Sequence, residues 1–430
     1  MLKSLRQFFN SSLLLKVTSY NAIGVVVKLA TGLVSSKVIA FYLGAAGMAL
    51  LGDLRNFMTS VHSISTLGIY NGIVKYVSEF KNDASELKAV LSTSLLLNML
   101  ASVILALVLF FGAGFWNNLI FKETYDFAFI FRLTGLAIPF YTLYLYSQAL
   151  LNGLAKHRLL INIGIVGNIL TLIGSVTLIY YYRIHGAFVI AVISPVIALG
   201  ITVLAVFGKR RFLTNFSLGN FKVGYLRKFT SYAGMTAFSA AVSPVVFMLI
   251  RQEIINQEGL TAAGYWDAMT RLSDYYMMFG TTILTLYILP KLSEIVTTKA
   301  FRREIFHFYK TILPLFAIGA VVVYFLRTFI VQIVFTADFL PMETLFQWQL
   351  VGDFFKLASV VIAYQFVAKN MFYYFIITQI ISLGTIYLSS VFFIDLYGVN
   401  GATMSHAFSY CIYFVMMLFI FRNSLFGNND

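Results

Sequence analysis

Read for its alternation of apolar and polar positions, the chain resolves into twelve apolar segments: 14–41, 55–79, 90–112, 126–152, 159–181, 186–207, 229–251, 264–289, 309–334, 343–368, 371–394 and 398–421. Each has the length of about 20 mostly apolar residues that a helix needs to cross a bilayer. The pattern therefore predicts an all-α membrane protein with twelve transmembrane helices. The first residues, MLKSLRQFFNSSLLLK, start basic, but their apolar run is interrupted at Lys16 and no small-residue cleavage site follows. They read as an uncleaved amphipathic lead-in to the first span.

The polar breaks between the segments alternate in character. One set carries Lys81 and Lys88, then Lys156 and Arg158, then Lys209, Arg210, Arg211, Lys222, Arg227 and Lys228, then Lys299, Arg302, Arg303 and Lys310. The other set holds Asp53, Glu123, Asp126, Glu253, Glu258, Asp338, Glu343 and Asp395 with few bases. Basic connections stay cytoplasmic, so both termini are expected on the cytoplasmic side. The basic stretch near the middle predicts an organisation into lobe 1–208, cytoplasmic connection 209–228 and lobe 229–430. No connection leaves room for a folded domain outside the membrane.

The two halves repeat. Gly135 and Gln148 correspond to Gly352 and Gln365, Arg55 and Lys75 to Arg271 and Lys291, and His185-Gly-Ala to Asn400-Gly-Ala, at offsets of 215 to 217 residues. Six spans per half is an even number, so the duplication is parallel, in the MATE-like manner. Transporters of that build bind their substrate near the bilayer midplane, at the interface of the repeats.

Composition narrows the class. The sequence is 60% hydrophobic and 11% charged, against about 25% charged for a soluble domain. The formal net charge of +14 sits mostly in the connections, where it sets orientation, so nucleic acid is not supported as a partner. Cys411 is the only cysteine and the five histidines are scattered. No disulfide, metal site or other cofactor is expected.

The informative residues are the charges inside apolar segments, which are costly there and should face a wet cavity or a partner. Lys28 lies about 20 Å along the first span at ~1.5 Å per residue, too deep to reach either surface easily. A cavity-facing role or neutralisation by an acid of another helix both fit. Lys37 is on the opposite side of the same helix and nearer its outer end, where snorkelling accounts for it. Asp267, Arg271 and Asp274 fall at i, i+4 and i+7, an acid-base-acid ladder that either fixes a helix end or lines the cavity. Gln349, Asp353 and Lys356 share a face in the tenth span; they form either a self-neutralising pair or a polar stripe facing the cavity. Arg55, Arg132 and Arg251 are placed near the outer ends of their spans as interfacial anchors.

Four passages carry a resemblance: VVVKLATGLVSSKVIAFYLGAAGMALLGDLRNF (25–57), GIYNGIVKYVSEF (68–80), RLSDYY with LYILPKLSE (271–294) and FQWQLVGDFFKLASVVIAYQFVAK (346–369). Together they resemble the Wzx oligosaccharide flippases, and the last resembles the enterobacterial-common-antigen branch. The resemblance covers nearly the whole chain. It implies a multi-pass protein of the bacterial inner membrane that moves undecaprenyl-pyrophosphate-linked oligosaccharide, such as an O-antigen or related unit, from the cytoplasmic to the periplasmic leaflet. It further implies alternating access coupled to H⁺ or Na⁺, contact with membrane lipids, and a glycan polymerase with its chain-length machinery as partners. Lys28, Lys37, Arg55, Lys75, Asp274, Asp353 and Lys356 match the family's charged pattern, whereas Asp267 and Arg271 depart from it. In this reading Lys28, Lys356, Arg271 and Arg55 hold the pyrophosphate. Asp353 and Asp274 tune affinity or carry the coupling ion, and Lys37, Asp267 and Arg251 are further cavity or anchor candidates. The alternative is a multidrug or lipid II exporter of the same superfamily. A membrane polymerase or ligase is disfavoured by the short outer connections, so the chain is not expected to be an enzyme.

Overall fold

In lipid every backbone N–H and C=O must be bonded within the protein, which leaves long apolar segments no choice but the helix. The computed structural model describes residues 13–122, 125–206, 222 and 224–427, and they are almost wholly helical. The order is α1 (Leu13–Ser65), α2 (Tyr70–Glu79), α3 (Ala84–Phe111), α4 (Ala113–Phe121), α5 (Ala128–Gly153), α6 (His157–Val206) and α7 (Gly224–Ile283). After a π-helical turn at Leu284–Ile288 follow α8 (Leu289–Glu294), α9 (Thr298–Phe325) and α10 (Arg327–Val334). A 3₁₀ stretch at Ala337–Leu345 leads into α11 (Phe346–Ala368), α12 (Phe372–Tyr397), α13 (Val399–Ile420) and α14 (Arg422–Phe426). The basic connection predicted at 209–228 and the lead-in before residue 13 lie largely outside the described residues.

Nine helices among the described residues are long and apolar enough to cross a membrane. Three of them are each two helices joined at one non-helical residue: Gly44 in α1, Arg183 in α6 and Gly259 in α7. Counting these as pairs gives twelve segments, consistent with the hydropathy pattern. The boundaries at two of the joints differ from expectation. Residues 252–263 are polar, and 42–54 carry three glycines and Asp53, so both read as connections, yet helix resumes directly after Gly44 and continues up to Gly259. A single residue with positive φ turns the chain, so no polar loop is needed. Gly44 (φ 64°, ψ −169°) and Gly259 (φ 87°, ψ 175°) occupy a region essentially reserved for glycine.

The repeat is written in the backbone as well. The positive-φ residues Gly44 and Gly259, Ala155 and Asn370, and Arg183 and Gly398 are each 215 residues apart. Gly186 and Gly401, at the same offset, sit so close to the preceding helix that a β-carbon would come 2.0 Å from the Leu178 and Phe393 carbonyl oxygens. Helix starts repeat too: Asp83 accepts from the Ser85 and Glu86 amides at the head of α3, and Thr297 from the Ala300 amide at the head of α9.

The chain divides into two compact units, Met1–Tyr42 with Phe57–Ala241, and Leu43–Asn56 with Val242–Asp430. The first has a core of Ile73, Val77, Val90, Leu91, Ala149 and their neighbours, with Tyr146 donating its hydroxyl to the Leu91 carbonyl. The second has, among the described residues, one core around Leu284, Ile305, Leu357, Val361 and Phe366 and another around Ala49, Ile254, Ala263 and Trp266. Ala49 belongs to the short segment of α1 that clusters with the second unit, and this assignment places the neighbouring charges Asp53 and Arg55 there too.

Candidate functional site

The second unit contains a buried ionic cluster centred on Arg251. This residue lies on α7 eight positions before the Gly259 turn, about 12 Å inside the helix at ~1.5 Å per residue. Its guanidinium donates from Nη1 to Asp53 Oδ1 at 2.8 Å and from Nη2 to Asp267 Oδ1 at 2.8 Å. Arg55 Nη2 donates to the same Asp267 oxygen at 3.2 Å, and Arg271 Nε to Asp267 Oδ2 at 3.4 Å. Arg251 also stacks over the Trp266 ring, 5.5 Å from its centroid. Arg251, Asp53 and Asp267 are essentially solvent-free, whereas the Arg55 side chain is 38% exposed and that of Arg271 13%.

Such a cluster requires close backbone approach, and Gly52 provides it. A β-carbon there would fall 2.3 Å from Asp267 Oδ1 and 2.7 Å from Arg251 Nη2. Burying ions without such partners would cost several kcal/mol each, about the scale of a broken buried pair.

A second polar group surrounds Asp353 on α11, itself fully buried. Its carboxylate accepts from Ser273 Oγ at 2.7 Å, from the Tyr276 hydroxyl and from Gln349 Nε2 at 3.3 Å. His406 Nε2, on α13, lies 3.0 Å from Asp353 Oδ1. Gly352 makes room for that imidazole, since a β-carbon there would meet His406 Cδ2 at 2.2 Å. Lys356, one turn on, is half-buried with its ammonium 5.5 Å from the centroid of the Tyr410 ring. Asp274 is exposed and close enough to act electrostatically on both Arg55 and Lys356. The polar groups therefore form one strip along the second unit.

These placements revise several sequence expectations. Arg251 and Arg55 do more than end their spans: both guanidiniums bind buried aspartates. The Asp267–Arg271–Asp274 ladder is half formed, because Arg271 bonds Asp267 while Asp274 faces outward. Asp353 and Lys356 are not a contact pair; the carboxylate turns to Ser273, Tyr276, Gln349 and His406 instead. In the first unit, Lys28 is exposed and Lys37 half-buried on α1. Sequence reasoning missed Asp53, Gly52, Ser273, Tyr276 and His406. For Asp53 the available signal was Gly44, the first of three glycines between two apolar runs, where a tight turn fits.

The arrangement presents a net cationic surface. Asp53, Asp267 and Asp353 are sealed in by their partners, so the ionic groups retaining access are Arg55, Arg271 and Lys356 against the single carboxylate of Asp274. Guanidiniums held in fixed orientation, with an ammonium on the same unit, suit a phosphate-bearing group.

The chain matches no family model. It is 28% identical over 424 residues to the lipid III flippases of Escherichia coli (strain K12) and of Shigella flexneri, covering 95% of this chain and 98% of each relative. Among solved structures, an inward-facing MATE family multidrug resistance transporter of the MOP superfamily superposes with a TM-score of 0.75 at 12% identity, over 94% of this chain and 100% of that one. The lipid II flippase MurJ in an inward closed conformation gives 0.72 at 17% identity, over 94% and 87%. The chain is thus a multi-pass helical membrane protein with a fold like that of the MATE transporters and MurJ, and along nearly its full length it is similar in sequence to the lipid III flippases.

Proposed function

We propose that the protein is a flippase for undecaprenyl-pyrophosphate-linked oligosaccharide, moving an O-antigen or related surface glycan unit from the cytoplasmic to the periplasmic leaflet of the bacterial inner membrane. The carrying observation is the strip in which Arg55, Arg271 and Lys356 remain accessible while the acids beside them, except Asp274, are buried. A pyrophosphate brought toward mid-membrane needs opposing charge in a space partly screened from water. In this strip Asp53 and Asp267 hold Arg251, and Asp267 also steadies Arg55, so that arginine is oriented before the substrate arrives. Lys28, on the first unit, is a separate candidate for the pyrophosphate, and Lys37 and Arg251 are supporting charges.

Asp353 and Asp274 are the candidates for coupling to H⁺ or Na⁺. Halves 1–208 and 229–430 act as the two lobes of an alternating-access cycle, with both termini cytoplasmic and the glycan polymerase and its chain-length machinery downstream. Full-length similarity to lipid III flippases supports this substrate class over drugs, because the fold alone is shared with transporters of other cargo.

The test is reconstitution of purified protein with labelled undecaprenyl-pyrophosphate oligosaccharide, reading leaflet exchange with and without an imposed proton or sodium gradient. Exchange faster than in protein-free vesicles is expected. Its absence under every gradient would remove the proposal.

A further inference from the structure

One carboxylate in the second unit serves three guanidiniums. Asp267 Oδ1 accepts from Arg251 Nη2 at 2.8 Å and from Arg55 Nη2 at 3.2 Å, and its Oδ2 accepts from Arg271 Nε at 3.4 Å. The three bonds are unequal. Charge-assisted N–H···O bonds run at about 2.7–2.9 Å, so Asp267 holds Arg251 at full strength and the other two loosely. Arg251 also has an acid of its own in Asp53, at 2.8 Å, whereas Arg55 and Arg271 both draw on Asp267.

The acid is fixed and the two arginines lie at the edge. Asp267 is fully buried, tied to Arg251 and seated against Gly52, where a β-carbon would come within 2.3 Å of Oδ1. The Arg55 side chain is 38% exposed and that of Arg271 13%. An anion arriving from the accessible side therefore meets guanidiniums that already face a built-in anion.

We propose that Asp267 is a resident competitor for the substrate's phosphates: it occupies Arg55 and Arg271 in the empty protein, and a phosphate head must win them from it. The inference rests on the flippase reading given above, in which those arginines hold the pyrophosphate, and it gives the acid between them a role in charge selection and release. The contact that orients Arg55 is also the one that competes for it.

Selection follows from charge. A singly charged phosphodiester, the head of an ordinary anionic bilayer lipid, offers the arginines no more charge than Asp267 does and loses its hydration on entering. A diphosphate brings two charges and more acceptor oxygens, so the two arginines gain by turning to it while Asp267 stays with Arg251. Release follows from the same competition. A carrier has to bind well enough to load and weakly enough to let go, and a carboxylate that reclaims both arginines keeps a cationic site from trapping its cargo.

A purely structural acid makes the opposite prediction, because neutralising it would loosen the arginines and weaken anion binding. Asp267→Asn separates the two. The amide keeps an acceptor oxygen for Arg251, leaves Arg251 and Asp53 as a balanced buried pair, and takes a charge partner only from the two arginines at the edge. Inorganic pyrophosphate is titrated calorimetrically into the unmodified and variant full-length chains in detergent, and leaflet exchange of undecaprenyl-pyrophosphate oligosaccharide is read in vesicles. The variant should bind pyrophosphate about tenfold more tightly, the order expected when one like charge a few ångströms from a partly solvated site is removed. KM for exchange should fall and the maximal rate should fall with it. Adding Arg55→Gln should cancel the gain in affinity.

A measurement on the unmodified chain needs no variant to fold. Sulfate, a dianion, should displace bound pyrophosphate at about tenfold lower concentration than dimethyl phosphate, a monoanion. Unchanged or weaker pyrophosphate binding by Asp267→Asn, a gain that survives Arg55→Gln, or equal displacement by the two anions would overturn the proposal. Exchange by the unmodified chain with no gain in the variant removes the resident competitor and leaves the transport reading. Tighter pyrophosphate on the variant without exchange by either chain does the reverse.

Discussion

Position by position, the two sequence halves agree in backbone and differ in charge. Gly44 and Gly259 make the same turn, and so do Arg183 and Gly398. Eight residues before the first of these turns stands Ser36, and eight before its counterpart stands Arg251; both are buried. Eight residues after it stands Gly52, where the other half has Asp267, and the glycine's missing side chain is the space that the aspartate and Arg251 use. Asp353 and Lys356 likewise correspond to Leu136 and Pro139. A duplicated fold keeps its turns because every helix connection depends on them. Its side chains are free to diverge, and here one half supplies most of the ions while the other supplies room.

The largest test of this asymmetry is Arg251→Met. It leaves Asp53 and Asp267 buried without their shared cation and should cost about 3–5 kcal/mol. Ser36→Ala at the equivalent position should cost only ~1 kcal/mol. Thermal unfolding of the two purified variants in detergent measures the gap, and equal losses would show that the cluster has no special weight. Next is Asp353→Asn. The amide cannot accept from all four of its neighbours, and one charge-assisted bond lost is worth ~1.5–3 kcal/mol. Leaflet exchange should fall with it more than stability does.

Gly52→Ala sharpens the same comparison from the side that supplies room. Its β-carbon presses on Asp267 Oδ1, and overpacking of this kind costs about 1–3 kcal/mol. Combined with Asp267→Ala the clash with the carboxylate disappears and only that with the flexible end of Arg251 remains, so the double variant should lose less than the two singles together. Gly44→Ala and Gly259→Ala probe what the halves share. Each forces alanine into a glycine-only conformation at about 1–3 kcal/mol, and unfolding should shift by similar amounts for both. The smallest effect on stability belongs to Arg55→Gln, within ~1 kcal/mol because the side chain is partly solvated. Binding of a prenyl-pyrophosphate probe to vesicles carrying that variant should nevertheless weaken, and unchanged binding would remove Arg55 from the head-group site.

Much of the fold could be read in advance because bilayer crossing imposes a length and an apolar composition on each span. The repeat was legible from short matches at constant offset. The Asp267–Arg271 pair was legible as well, since i and i+4 neighbours meet on any helix. Arg251 and Asp53 were not: they stand 198 positions apart, and polar residues between apolar runs look like a loop whenever the turn itself is one residue long. His406 gave no signal of its own, because its partner Asp353 sits on another helix.

The sequence by itself determined the helices, the membrane class, the repeat and the identity of the ions. These follow from local composition and from comparison of the chain with itself. Only the tertiary structure decided which charges are sealed by partners and which keep access to solvent. That depends on contacts between distant helices, and on glycines whose function is to let a neighbour's side chain approach.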